Sequence, residues 1–140
     1  MQRQNTEVKM VEACNAIRPF GVSCHICGNT SKILESVAEC GFSSFDIDNA
    51  VDLGDAKKRI GKFIHLSGNV NPAGVLFLGT PAEVKEAVKA CFREAWDSPG
   101  GFTINTGCDS AWCTPIENSL AFVEEARKCA AYPLNPENFQ

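Results

Sequence analysis

Short apolar runs that alternate with helix-like segments constrain this chain more than anything else in it. Gly21 to Ile26, Phe42 to Ile47, Lys62 to Leu66 and Phe102 to Thr106 are strand-like. Each is followed by a segment with helical periodicity, and Asn5 to Ile17, with Val8, Val11, Cys14 and Ile17 on a thin apolar stripe, precedes the first. The order is one helix and then strand–helix four times. Strands joined through helices form right-handed crossovers and a parallel sheet. Functional groups in such sheets gather at the C-terminal strand ends, and all four ends here are polar: His25 and Cys27, Asp48, Asn69 and Asn71, Cys108.

The helix punctuation supports that reading. Thr30 or Ser31 starts the second helix, with Ile33, Leu34, Val37 and Ala38 on one face. Asp52 caps a helix over Leu53 to Ile60 that Gly61 closes. Thr80-Pro81-Ala82-Glu83 places Thr at N-cap, Pro at N1 and Glu at N3, a capping box opening an amphipathic helix through Ala95. Thr114-Pro115-Ile116-Glu117 repeats the signal and predicts a last helix with Ile116, Leu120, Val123 and Ala130 inward. Residues 1–132 read as one domain, and 133–140, with Pro133 and Pro136, as a tail.

Chemistry concentrates in Cys24-His25-Ile26-Cys27-Gly28-Asn29-Thr30. Strand alternation sends His25 and Cys27 to one face, and Cys24 with Ile26 to the other. An imidazole beside a thiol is two-thirds of a three-ligand zinc site that keeps one position open, and Cys108 is the best third ligand. Two plainer readings compete: buried cysteines behave as small hydrophobes, and Cys24-x-x-Cys27 has the spacing of a redox pair. The eight cysteines are at 14, 24, 27, 40, 91, 108, 113 and 129. Those at 14, 40, 91 and 129 fall on or beside apolar helix faces and read as core. His65 lies within a strand and reads as a core histidine. With no secretion pattern at the polar N-terminus, free thiols indicate a reducing cytoplasm rather than a disulfide framework. A net charge of −4 and a pI near 5.2 argue against nucleic acid or an anionic membrane as partner. No apolar run has the length of a membrane span.

These motifs resemble a known family. His25-x-Cys27 with a distant Cys108 is similar to the H-x-C…C zinc signature of the cobamide-dependent methyltransferases of the uroporphyrinogen decarboxylase superfamily. Ile47-Asp48, Val51-Asp52-Leu53, Gly68-Asn69-Val70, Gly79-Thr80-Pro81, Gly107-Cys108 and Thr114-Pro115-Ile116-Glu117-Asn118 follow in the family's order. The resemblance covers roughly residues 20 to 130. It implies an α/β fold made of four βα units of a TIM barrel, the C-terminal half, because a whole (β/α)₈ barrel takes about 250 residues. It implies Zn²⁺ on His25, Cys27 and Cys108. Asp48 would be a fourth ligand at rest, with Asp46 as substitute should the register differ. Asn69 and Asn71 would bind substrate, although turn residues beside Pro72 need no function. Members usually carry Asp where this chain has Asn71.

The implied reaction moves a methyl group from a methylated corrinoid protein to a small thiol such as coenzyme M. Two alternatives stand beside it: a uroporphyrinogen decarboxylase-like enzyme, which needs no metal, and a non-catalytic truncated half-barrel subunit. Four strands cut from a barrel have two free edges and an uncovered inner face. The expected partners are therefore a separate N-terminal half-barrel or a second copy, unless the chain is part of a longer product. The leading helix is too thinly apolar to cover the inner face well.

Overall fold

The computed structural model describes residues 4–19 and 21–140. Met1 to Arg3 of the polar N-terminus, and Phe20 at the head of the first apolar run, lie outside the described residues. The elements run α1 (Gln4–Ile17), β1 (Ser23–His25), α2 (Leu34–Glu39), β2 (Ser44–Asp46), α3 (Leu53–Ile60), β3 (His65–Val70), a π-helical turn (Pro72–Phe77), α4 (Pro81–Ala95), β4 (Phe102–Thr106), α5 (Ile116–Cys129) and a 3₁₀ turn (Pro136–Phe139). The sheet is parallel throughout with strand order β1-β2-β3-β4. This is the architecture of a partial TIM barrel.

Register divides the sheet into two chemically distinct faces. Cys24, Phe45, Leu66 and Phe102 align across the four strands. With Ile47, Val70 and Ile104 they pack on Leu34, Val37, Ala56, Ile60, Val88 and Phe92 from the helices. The opposite face carries Ser23, Ser44 and His65, then His25, Asp46, Ser67 and Thr103, then Asn69 and Asn105. It holds no apolar side chain at any of these positions. Val8 and Val11 of α1 join the helix-side core, so α1 does not lie over the polar face.

Local signals explain α3 and α4, whereas α2 starts without the side-chain cap expected from Thr30 or Ser31: its N-cap is Ile33, and the Thr30 hydroxyl makes no hydrogen bond. The Asp52 carboxylate accepts from Asp55 N at 2.7 Å and starts α3. The Thr80 hydroxyl accepts from Glu83 N at 3.3 Å, while the Glu83 carboxylate accepts from Thr80 N at 2.7 Å, closing the capping box of α4. Thr80→Ala is expected to lower unfolding free energy by about 1 kcal/mol. Urea unfolding should show that loss as a shifted midpoint with an unchanged slope.

Four further expectations are corrected. The third strand is His65–Val70 rather than Lys62 to Leu66. Ser67-Gly68-Asn69-Val70 pairs fully with β4 although Gly and Asn are poor strand formers, because its alternation puts Leu66 and Val70 toward the helices. α5 is rotated: Asn118, Ala121, Glu125 and Cys129 are buried, while Ile116, Leu120, Val123 and Ala130 are exposed. The rotation lets the Asn118 amide donate to Leu76 O at 3.0 Å and Gly79 O at 2.8 Å, carbonyls that end the π-helical turn. Thr114 does not cap this helix; its hydroxyl donates to Ala111 O at 2.7 Å. Finally, residues 133–140 pack back on the domain, with Phe139 buried against Phe92 and Trp96, ring centroids 5.6 and 5.9 Å away.

Candidate metal centre

β1 and β4 are the outer strands of the sheet, yet side chains that follow them meet. In a flat sheet three interstrand spacings of about 4.8 Å would hold these strands about 14 Å apart. The loops that follow β1 and β4 carry Cys27 and Cys108 across that distance. His25 Nε2 lies 3.3 Å from Cys27 Sγ, and Cys27 Sγ lies 3.5 Å from Cys108 Sγ. One donor atom from each of His25, Cys27 and Cys108 lies within 4.8 Å of the others. Among the described residues this is the one such group of three or more metal-ligating side chains.

The histidine is oriented by the sheet itself. His25 and Asp46 are register partners, and His25 Nδ1 sits 3.0 Å from the Asp46 carbonyl. A carbonyl only accepts, so Nδ1 carries the proton and the Nε2 lone pair faces the thiols. Burial alone would lower the His25 pKa; the Asp46 carbonyl and the Cys108 thiol outweigh it and raise it. The contact with Cys108 pushes Cys27 up. The same contact, and after it the neighbouring His25, pushes Cys108 down. Cys24 points to the core, raised chiefly by burial, so the thiol partner of Cys27 is Cys108 and not Cys24.

The remaining expected site residues are engaged in holding loops. Asp48 is buried; its Oδ2 accepts from Gly28 N at 2.8 Å and its Oδ1 from Ala50 N at 2.8 Å. It is not part of the converging group. Asn69 Nδ2 donates to Asp48 O at 3.2 Å and to Val51 O at 2.8 Å. Asn71 caps the π-helical turn, accepting from Ala73 N at 3.1 Å and Gly74 N at 2.7 Å. His65 is half-buried between Gly100 O and the Thr103 hydroxyl, away from the group. Trp112 and Cys113 are exposed.

Several contributors are not named by the sequence motifs. The Asp46 carbonyl is one. The role of Gly107, which stands in a motif, is another: a Cβ there would collide with the backbone N of Asn49. The Thr106 hydroxyl donates to Cys108 O at 2.8 Å. Glycine immediately before Cys108 is the signal that could have marked this approach. Beside the group opens a polar hollow lined by His25, Asp46, Asn105, Thr106, Cys108, Asp109 and Ser110.

The donor chemistry fits zinc. Zinc–ligand bonds of about 2.0–2.3 Å in a tetrahedron set donor atoms roughly 3.3–3.8 Å apart, which matches the separations around Cys27. Two thiolates and a neutral imidazole balance the 2+ charge and suit a borderline-soft ion.

Known proteins share this architecture. A uroporphyrinogen decarboxylase of Nitrosospira multiformis is 39% identical over 93 residues, 65% of this chain and 24% of the relative. A methylcobamide:CoM methyltransferase of Methanosarcina barkeri is 32% identical over 100 residues, 71% of this chain and 28% of the relative. A solved methyltransferase structure from Methanosarcina mazei superposes with a TM-score of 0.75 at 26% identity, over 91% of this chain and 36% of that one. The chain thus spans about a quarter to a third of the length of these relatives. The family model for uroporphyrinogen decarboxylase (URO-D) matches residues 5–129, from α1 to the end of α5, and the chain belongs to that family.

Proposed function

We propose that this chain is the zinc-bearing part of a corrinoid:thiol methyltransferase, taking a methyl group from a methylated corrinoid protein and giving it to a small thiol such as coenzyme M. The observation that carries this reading is the convergence of one imidazole and two thiols within 4.8 Å beside an open polar hollow. Bound zinc would supply the means to hold an incoming thiol as its thiolate at neutral pH. His25, Cys27 and Cys108 are the ligands, and the fourth position is left for the substrate.

The chain's own residues prepare that position. The Asp46 carbonyl keeps the His25 proton on Nδ1, which leaves Nε2 free to ligate. Asn105 and Thr106 line the hollow and supply polar contacts there. In the net reaction the thiol proton leaves to solvent and a sulfur lone pair forms the S–CH₃ bond. The Co–CH₃ bond breaks with its electron pair remaining on the corrinoid. Two thiolate ligands keep the site electron-rich, which favours sulfur alkylation over the activation of water that a His-rich set would support. A decarboxylase-like reading has no use for this trio, and a non-catalytic half-barrel would hold zinc in a closed sphere.

Metal analysis with X-ray absorption on protein purified without chelator tests the proposal. The expected result is one zinc per chain with two sulfur and one nitrogen ligand, and a third sulfur on adding a small alkyl thiol. Metal content near zero, or a ligand sphere that the thiol does not change, overturns it.

A further inference from the structure

We infer that the turn at residues 48–51 is the clamp that brings Cys27 and Cys108 together, and that Asp48 is a positioning residue, tethering the loop of one ligand rather than binding the metal itself. The ligand cysteines follow opposite edges of the sheet, β1 and β4. β2 and β3 lie between those edges, so the contact of the two cysteines at 3.5 Å is made by the loops that follow β1 and β4. The turn after β2 touches both. On one side the Asp48 carboxylate accepts from the backbone N–H of Gly28, the residue after Cys27, at 2.8 Å. On the other side Asn49 packs so closely on Gly107, the residue before Cys108, that no side chain fits between them.

The turn is itself held from beneath. Asp48 Oδ1 accepts from Ala50 N at 2.8 Å, and Val51 N donates to Asp48 O at 3.0 Å. The Asn69 amide, from β3, donates to Asp48 O and Val51 O. Its own oxygen accepts from the Cys91 thiol of α4 at 3.7 Å. A chain of contacts therefore runs from β3 to the turn and then to both ligand loops. Asp48 meets two backbone N–H groups in a site only 7% exposed. Turning it to a metal would leave both N–H groups unpaired, at a cost of about 1–3 kcal/mol each. Charged acceptors of this kind make the stronger hydrogen bonds, so the tether is the favoured use of the carboxylate.

This inference rests on the metal reading above, but thiol proximity tests it without metal. The reduced, metal-free chain would be equilibrated in glutathione buffers, where the Cys27 and Cys108 thiols are oxidised to a disulfide as one glutathione disulfide is reduced to two glutathiones. Peptide mapping after alkylation gives the effective concentration of one thiol at the other. Asp48→Asn keeps the shape of the side chain but can accept only one of the two bonds, and Asn69→Ala removes the support from β3. Each is expected to lower the effective concentration tenfold or more. Asp52→Ala, which removes the cap of α3, is expected to stay within twofold. In parallel, cobalt(II) binding to Asp48→Asn is expected to weaken by about 10–100-fold while the sulfur-to-cobalt charge-transfer band is retained. An unchanged effective concentration in both Asp48→Asn and Asn69→Ala overturns the clamp. Unchanged thiol proximity combined with an altered cobalt spectrum in Asp48→Asn makes Asp48 a ligand and overturns its positioning role. If the native chain binds no metal, the function proposed above fails, while the thiol equilibrium still decides the clamp.

Discussion

Cys108→Ala is expected to lose metal and thiol methylation together, while Cys91→Ala keeps both. The two cysteines have opposite surroundings. Cys108 faces Cys27 and His25 at the mouth of the sheet, its pKa pushed down by its contact with Cys27 and by the neighbouring His25. Cys91 is buried on α4, its pKa pushed up by desolvation, and its one polar contact is a thiol hydrogen bond to Asn69. Zinc held by four protein ligands is worth roughly 10–16 kcal/mol, so one ligand carries on the order of 3 kcal/mol, at least a hundredfold in affinity. Losing the Cys91 sulfur resembles losing one buried methyl, about 1 kcal/mol of stability. Competition with a chromogenic chelator measures the first effect, and urea unfolding the second. Equal loss of zinc in both variants would refute the ligand assignment.

The sequence carried the fold further than it carried the site. The capping signals at Asp52 and Thr80 located α3 and α4 to the residue because both act through neighbours three positions away. β3 was misplaced because its C-terminal half, Ser67-Gly68-Asn69, has turn composition. Only pairing with β4 makes it strand, and pairing is a property of two segments. α5 was turned the wrong way for a related reason. Its apolar positions follow a helical stripe, but burial was decided by Asn118 finding two carbonyls on another element. At the site, His25, Cys27 and Cys108 could be named, since residue type advertises ligation. The work of Asp48, Asn69 and Asn71 could not: a carboxylate or amide at a strand end looks the same whether it meets substrate or backbone N–H groups.

The last expectation concerns what the 140-residue polypeptide does in solution by itself. The inner face of the sheet was one surface expected to need cover, and it is polar at every register position, from Ser23 and Ser44 to Asn69 and Asn105. The apolar liability lies elsewhere. Along the outside of α5 and the loop before it, Trp112 is 98% exposed, Ile116 70%, Leu120 55% and Val123 43%. Ile116, Leu120 and Val123, spaced four and three residues apart, make one stripe on the helix that follows the free strand β4, with Trp112 in the loop before it. Burying four such side chains is worth about 2 kcal/mol apiece, or about 8 kcal/mol gross. Association costs at least about 4 kcal/mol, which leaves a dissociation constant near millimolar from the stripe alone. Strand pairing at the open edges of β1 and β4 adds to that, because each presents unpaired N–H and C=O groups to any second chain. The expected result is concentration-dependent self-association with strong binding of an apolar dye. Ile116→Glu combined with Leu120→Glu should place two charges in the stripe and shift the mass toward the 15.1 kDa monomer. No helix in the described residues is long and apolar enough to cross a membrane. Light scattering across a dilution series is the measurement. A native chain that stays monodisperse at 15.1 kDa with little dye binding would show that neither the stripe nor the open edges need a partner.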